Sequence, residues 1–160
     1  MKLIHKVLIG SLPLIFFGSA GAGESAVPFP ENYRNWLHVK SMLILPGHPL
    51  EQPFQGIHHI YANEAATRGM MNGDYADGAE IVFDLLNTLE KENAIQEESR
   101  KLIGVMLRNK SRYAETGGWG FEAFSGDSKT ERLVKDGGHA CFGCHATEEK
   151  SHFVFSKLRN

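Results

Sequence analysis

Cys141-Phe142-Gly143-Cys144-His145 constrains this chain more than any other feature, because these are its only two cysteines and both lie in the last twenty of 160 residues. On one helical turn, positions i and i+3 share a face, so both thiols point to the same side and the histidine follows directly. That spacing suits two thioether bonds to the vinyl groups of one haem edge, with the imidazole swung beneath the iron as proximal ligand. A redox dithiol would use the same cysteine pair, but the βαβ context it needs is absent from the pattern. A structural zinc site would need two further ligands, and His139 and His152 are only loosely spaced for it. The expected cofactor is haem c, held by Cys141 and Cys144, with His145 as the iron ligand. A covalently held apolar macrocycle becomes part of the core. Since the motif comes so late, upstream segments must build most of its pocket.

Haem attachment of this kind belongs to exported proteins, and the N-terminus agrees. Lys2 and Lys6 precede an apolar run from Val7 to Phe17, and Ala20-Gly21-Ala22 supplies a small-x-small cleavage pattern. Eleven residues are too few to span a bilayer as a helix. Residues 1–22 are therefore expected to be a cleaved signal peptide, and residues 23–160 a single periplasmic haem c domain with no membrane attachment after cleavage. Removing two lysines and no acid takes the formal charge from −2 to −4. A mildly acidic chain without a basic cluster has no electrostatic footprint for nucleic acid or anionic lipid.

The pattern between signal and motif predicts an α+β domain, a mostly antiparallel sheet with a few short helices and a C-terminal haem-attachment helix. Asn32–Leu37 reads as a short helix and Val39–Leu45 as an apolar stretch ended by Pro46-Gly47. Pro46–Pro53 reads as a loop and Gln55–Tyr61 as a strand. Asn63 is the expected N-cap of a helix over Glu64–Met71. Ala79–Leu86 and Leu102–Asn109 read as strands separated by the polar stretch Glu90–Arg100, and Trp119–Phe124 as an aromatic strand. His58 and His59 should face opposite sides of their strand.

In chain order, Asn32-Tyr33-Arg34-x-Trp36, Tyr61-Ala62-Asn63, Asp77-Gly78-Ala79, Arg112 to Phe121, Cys141-x-x-Cys144-His145 and Val154-Phe155-Ser156 resemble the cytochrome P-460 family over about Pro30 to Lys157. The resemblance implies a periplasmic, β-rich homodimer with a five-coordinate haem. It also implies one of two functional kinds. The hydroxylamine-oxidising kind carries a lysine cross-linked to the haem edge and a distal glutamate. Phe83 and Met106 stand at those two places, and no lysine occurs between Lys40 and Lys91. The other kind, cytochrome c′-beta, caps the iron with phenylalanines and binds diatomic gases. Phe83 and Phe54 would be the caps, and nitric oxide or carbon monoxide the ligands.

Three further positions enter as expectations. Met106 is either strand packing or a sixth ligand that would make the chain an electron carrier with a redox partner. Its neighbour Gly104 leaves room beside it for a macrocycle. His58, at the resemblance's distal arginine position, would donate to a bound ligand or relay a proton, although a solvent-facing or satisfied histidine is the plainer reading. Arg108 and Arg112 are candidates to pair with haem propionates.

Overall fold

In the computed structural model, residues 27–159 are described, so the expected signal peptide lies outside the described residues. Five strands form one antiparallel sheet in the order β1-β2-β3-β4-β5: Leu37–Ile44, Gly56–Ala62, Glu80–Lys91, Ala94–Arg108 and Trp119–Ser125. Helix α1 (Glu51–Phe54) is a single turn before β2, α2 (Glu64–Asn72) joins β2 to β3, and α3 (His139–His145) carries the motif. The α+β architecture follows the sequence reading.

Alternation along the strands gives the sheet two unlike faces. On one face stand His58, Ile60 and Ala62 of β2, Ile81, Phe83 and Leu85 of β3, Gly104 and Met106 of β4, and Trp119 and Phe121 of β5. Most of these residues pack with Tyr75, Cys141, Phe142, Phe153 and Val154, so this face receives α2, α3 and the C-terminal leg. The other face buries Val82, Ile103, Val105 and Phe124 against Val27 and Tyr33. His58 and His59 do fall on opposite faces.

Asp84 sits fully buried on that second face. It accepts hydrogen bonds from Tyr33 Oη (2.7 Å), Arg100 Nε (2.6 Å) and Arg34 Nη2 (3.1 Å). A buried carboxylate needs such partners, because its charge is otherwise left without solvation.

Three sequence expectations need correction. Glu90–Arg100 is not a separator: β3 runs to Lys91 and β4 starts at Ala94, so the two strands form one long hairpin. Glu92 and Asn93 turn it with φ of 54° and 58°, the left-handed pair that suits a two-residue hairpin turn. Its strand residues are polar because the arm projects beyond the core, where cross-strand backbone pairing suffices without an apolar face. The supposed loop 46–53 ends in α1, and the helix expected over 32–37 is one 3₁₀ turn, Tyr33–Asn35, before β1 begins at Leu37. The Asn63 cap is as expected, its side chain accepting from Ala66 N–H at 2.8 Å.

Candidate haem site

The attachment helix is placed by two local devices. Asp136 stands just before α3 and accepts from the backbone N–H groups of Gly138 (3.0 Å) and Ala140 (2.8 Å), filling the role of a cap. Gly138 has φ of 91°, and a Cβ there would meet Phe121 at 2.9 Å, so only glycine lets the helix start lie this close to the sheet. Phe142 then packs against Phe153, and Cys141 joins the core cluster while Cys144 stays exposed. Both thiols are free, and no disulfide competes with attachment.

His145 is fixed by the chain that follows it. Its Nδ1–H donates to the Phe153 carbonyl at 2.7 Å, which leaves the Nε2 lone pair for a metal. Phe121 and Phe155 flank the ring, each with its centroid 5.0 Å away. Burial lowers the pKa of His145 against the opposing pull of the Phe153 bond, which favours the neutral, metal-binding form. Two consecutive left-handed residues, His152 (φ 54°) and Phe153 (φ 67°), aim that carbonyl. Such φ values are uncommon outside glycine and cost energy, so the surrounding contacts must hold them. One contact is explicit: Trp119 Nε1–H donates to the His152 carbonyl at 3.0 Å.

On the same sheet face the structure brings Phe54 and Phe83 together, edge to face with centroids 5.6 Å apart. The His58 ring lies 4.4 Å from Phe83 at an interplanar angle of 30°. Gly104 faces the root of Phe83, where a Cβ would meet its Cβ at an ordinary 3.5 Å, so this glycine keeps the face flat rather than opening a hole. Met106 is buried, paired across the ladder with Ile81 and Phe121.

The plain reading of His58 as solvent-facing or satisfied is overturned: it is 4% exposed and its Nδ1 has no hydrogen-bond partner. Burial, then the nearby charges of Lys40 and His59, pushes its pKa down to about 4, so it is neutral at pH 7. On the opposite face burial pushes Glu80 up to about 7, and its Oε1 also lacks a partner. The two groups oppose each other in acid. His58 withdraws stability as pH falls from 6.5 towards 4, because the unfolded chain takes up the proton first. Glu80 withdraws stability as pH rises from 4.5 through 7, because the unfolded chain gives its proton up first. The wild-type chain should therefore show a nearly flat stability profile across pH 4.5–6.5. Glu80→Gln should make stability fall with acid in that window, and His58→Phe should make it rise. Denaturant melts at successive pH values would check both signs; parallel profiles for all three proteins would refute them.

The two arginines separate. Arg112 is exposed and lies over Tyr113, away from the face just described. Arg108 is buried, stacks over Trp119 at 5.3 Å and donates from Nη1 to the Gly117 carbonyl at 2.6 Å. Its Nε is buried with no partner, and it forms no ion pair among the described residues. A buried guanidinium with an idle donor is suited to a carboxylate, which is the chemistry of a haem propionate. Through Trp119 it also stands next to the turn that holds His145.

The free cysteine pair, an imidazole with one nitrogen anchored and one available, flanking aromatics and an idle buried guanidinium together fit a covalently attached haem. Sequence reasoning did not find Phe121, Phe155 or the Phe153 carbonyl. The aromatic character of the first two was visible, but nothing in a residue type reveals that a main-chain oxygen eight residues on folds back. A cleft of about 590 Å³ between α2 and residues 150–159 contains none of the cysteines, His145 or the distal aromatics, and is a separate feature.

Among curated proteins, no match to the chain is found. A family model described as cytochrome P460 matches residues 30–156, which spans all five strands and the attachment helix. This chain belongs to the cytochrome P460 family, and as a member it is a c-type cytochrome that binds haem c, with its iron, covalently.

Proposed function

We propose that this chain is an exported mono-haem cytochrome of the c′-beta kind, binding nitric oxide or carbon monoxide reversibly, with Cys141 and Cys144 as attachment points and His145 as the proximal ligand. The haem supplies a high-spin iron with one open coordination position. The observation that carries the reading is the Phe54–Phe83 pair, two aromatic rings in edge contact on the sheet face that α3 covers. Such a lid keeps water and large ligands out and offers no acidic group to move protons during an oxidation. Met106, where the hydroxylamine-oxidising kind has its glutamate, has a thioether that cannot act as a base at neutral pH. His58, neutral and leaning on Phe83, supplies an idle polar atom beside the lid.

The absorption spectrum of the reduced holoprotein with and without carbon monoxide tests this directly. A broad high-spin spectrum that shifts with the gas supports it. A sharp low-spin spectrum indifferent to the gas would transfer the function to electron transfer, with Met106 as sixth ligand. Phe83→Ala should then speed carbon monoxide association roughly tenfold, the equivalent of about 1.4 kcal/mol off the entry barrier, and admit imidazole. An unchanged association rate removes Phe83 from the lid.

Export and assembly are part of the same proposal. Cleavage after Ala22 would appear in the intact mass of protein recovered from the periplasm. Homodimerisation draws on the projecting β3–β4 arm, where Leu89 on one face and Ile95 on the other are 45% and 46% exposed, so each offers a second copy an apolar side chain to cover. Light scattering reads the outcome, and a monomer at micromolar concentration would reject it.

A further inference from the structure

The sheet face turned away from α3 carries a group of side chains that the haem chemistry does not use. Two imidazoles converge on one hydroxyl oxygen. His38 Nε2 lies 2.9 Å from Ser41 Oγ, and His59 Nδ1 lies 2.6 Å from the same atom. On the far side of the His59 ring, Glu97 Oε1 stands 2.7 Å from Nε2, a close contact not aligned as a hydrogen bond.

This convergence is not what a regular strand gives. His38 and Ser41 are three apart in β1, and strict alternation would send them to opposite faces. The β1–β2 register shifts between His38 and Lys40, and the extra residue, Val39, turns His38 onto the face of Ser41 and its cross-strand partner His59. Glu97 reaches the group from another element, the β3–β4 hairpin arm. Bulges re-aim side chains, and this one brings a second imidazole to the first.

We propose that His38 and His59 form a surface site for a borderline divalent transition ion, Zn²⁺ being the reference case, with the Ser41 hydroxyl or water completing the coordination. Imidazole nitrogens select such ions over Ca²⁺ or Mg²⁺, which prefer all-oxygen shells. A cation close to the present Ser41 oxygen would need each ring nitrogen to approach by only about 0.5–0.9 Å to reach the usual 2.0–2.1 Å bond. Ser41 then turns aside or supplies a weak oxygen ligand. Glu97 stands within reach of the remote nitrogen of His59 and would accept its N–H once the ring turns towards the ion, which is how carboxylates orient and strengthen a metal-bound histidine. Among the described residues no group of three or more His, Cys, Asp or Glu side chains is set around one point, so this is a two-imidazole site with open positions. It accordingly takes its ion reversibly. His38 is exposed, which leaves a path for entry.

Isothermal titration of the mature holoprotein with Zn²⁺ alone tests the proposal, with the haem absorption spectrum followed in parallel. One ion should bind per chain with the haem spectrum unchanged, because the site lies across the sheet from the attachment helix. His38→Ala, at an exposed position, should fold normally and weaken binding at least tenfold. Glu97→Gln should weaken binding by about tenfold through the orientation of His59. Ser41→Ala should change binding by less than about threefold, since water can take the place of a weak hydroxyl ligand. Equal Zn²⁺ affinity in wild type and His38→Ala, or no saturable binding at millimolar Zn²⁺, overturns the assignment.

Discussion

Replacing Asp84 by alanine is expected to remove about 3–5 kcal/mol of stability, the cost of breaking a buried ion pair from one side. The carboxylate is fully buried, and Arg100, itself 14% exposed, points Nε at it from 2.6 Å. Without Asp84 this guanidinium keeps only its exposed partner Asp127, and Tyr33 loses the acceptor of its hydroxyl. The loss falls in the middle of β3, next to Phe83, so the sheet that would carry the lid loosens with it. Burial alone would raise the pKa of Asp84, but the hydrogen bonds from Arg100 and Tyr33 outweigh it and hold it below the ordinary value. A depressed carboxylate contributes stability above its unfolded pKa and loses it as pH falls through the folded one. Asp84→Asn should therefore flatten the acid limb below about pH 4 as well as lower the plateau. Guanidinium melts of the holoprotein measure both effects, and a loss under about 1 kcal/mol would mean that the network is replaceable by water.

Gly56→Ala is the second substitution with a large expected effect. Gly56 opens β2 at φ of 128°, outside the range that residues with a side chain adopt readily, and a Cβ would stand 2.2 Å from the Leu86 carbonyl oxygen. The obstacle is backbone of the neighbouring strand, so no side-chain rotation relieves it. Strain and overpacking together should cost about 2–5 kcal/mol. Gly56 comes two residues after Phe54, and the shift needed to relieve the clash moves that ring off Phe83. The variant should thus unfold at lower denaturant and, where it still folds, bind carbon monoxide with altered kinetics. A variant with wild-type melting and wild-type binding would show that the β2 start is free to slide.

Much of this was readable in the residues, for identifiable reasons. The attachment helix, the Asn63 cap and the strand carrying Phe83 were legible, because the first two depend on neighbours within a turn and the third on a run of Ile, Val, Phe and Leu. The long β3–β4 arm did not show, since Glu90 to Arg100 lacks the apolar alternation that marks a half-buried strand and is held by pairing alone. His58 was misjudged for a related reason: the sequence gives its face but not what covers it, and Phe83 covers it from the next strand. The Phe153 carbonyl was invisible because main-chain acceptors have no letter. The meeting of His38 with His59 needed the bulge at Val39, and a one-residue slip of this kind leaves no mark in a string of residue types.

The loop from α3 back to its own histidine has a consequence for how the protein can change over time. The two cysteines and the histidine proposed to hold the haem, and the carbonyl that orients that histidine, lie within Cys141–Phe153, a continuous stretch of thirteen residues by their numbering. The residues that would meet an incoming ligand, Phe54, His58, Phe83 and Met106, belong to the earlier strands and corner. The proposed covalent tether and the proposed gatekeepers thus lie on separate segments, although Trp119 and Phe121 of the sheet still brace the histidine. Variation in the sheet can retune selectivity while the tether stays intact, and a change in the tether leaves the gatekeepers untouched. A chain divided in this way can explore new chemistry one substitution at a time without first losing its haem.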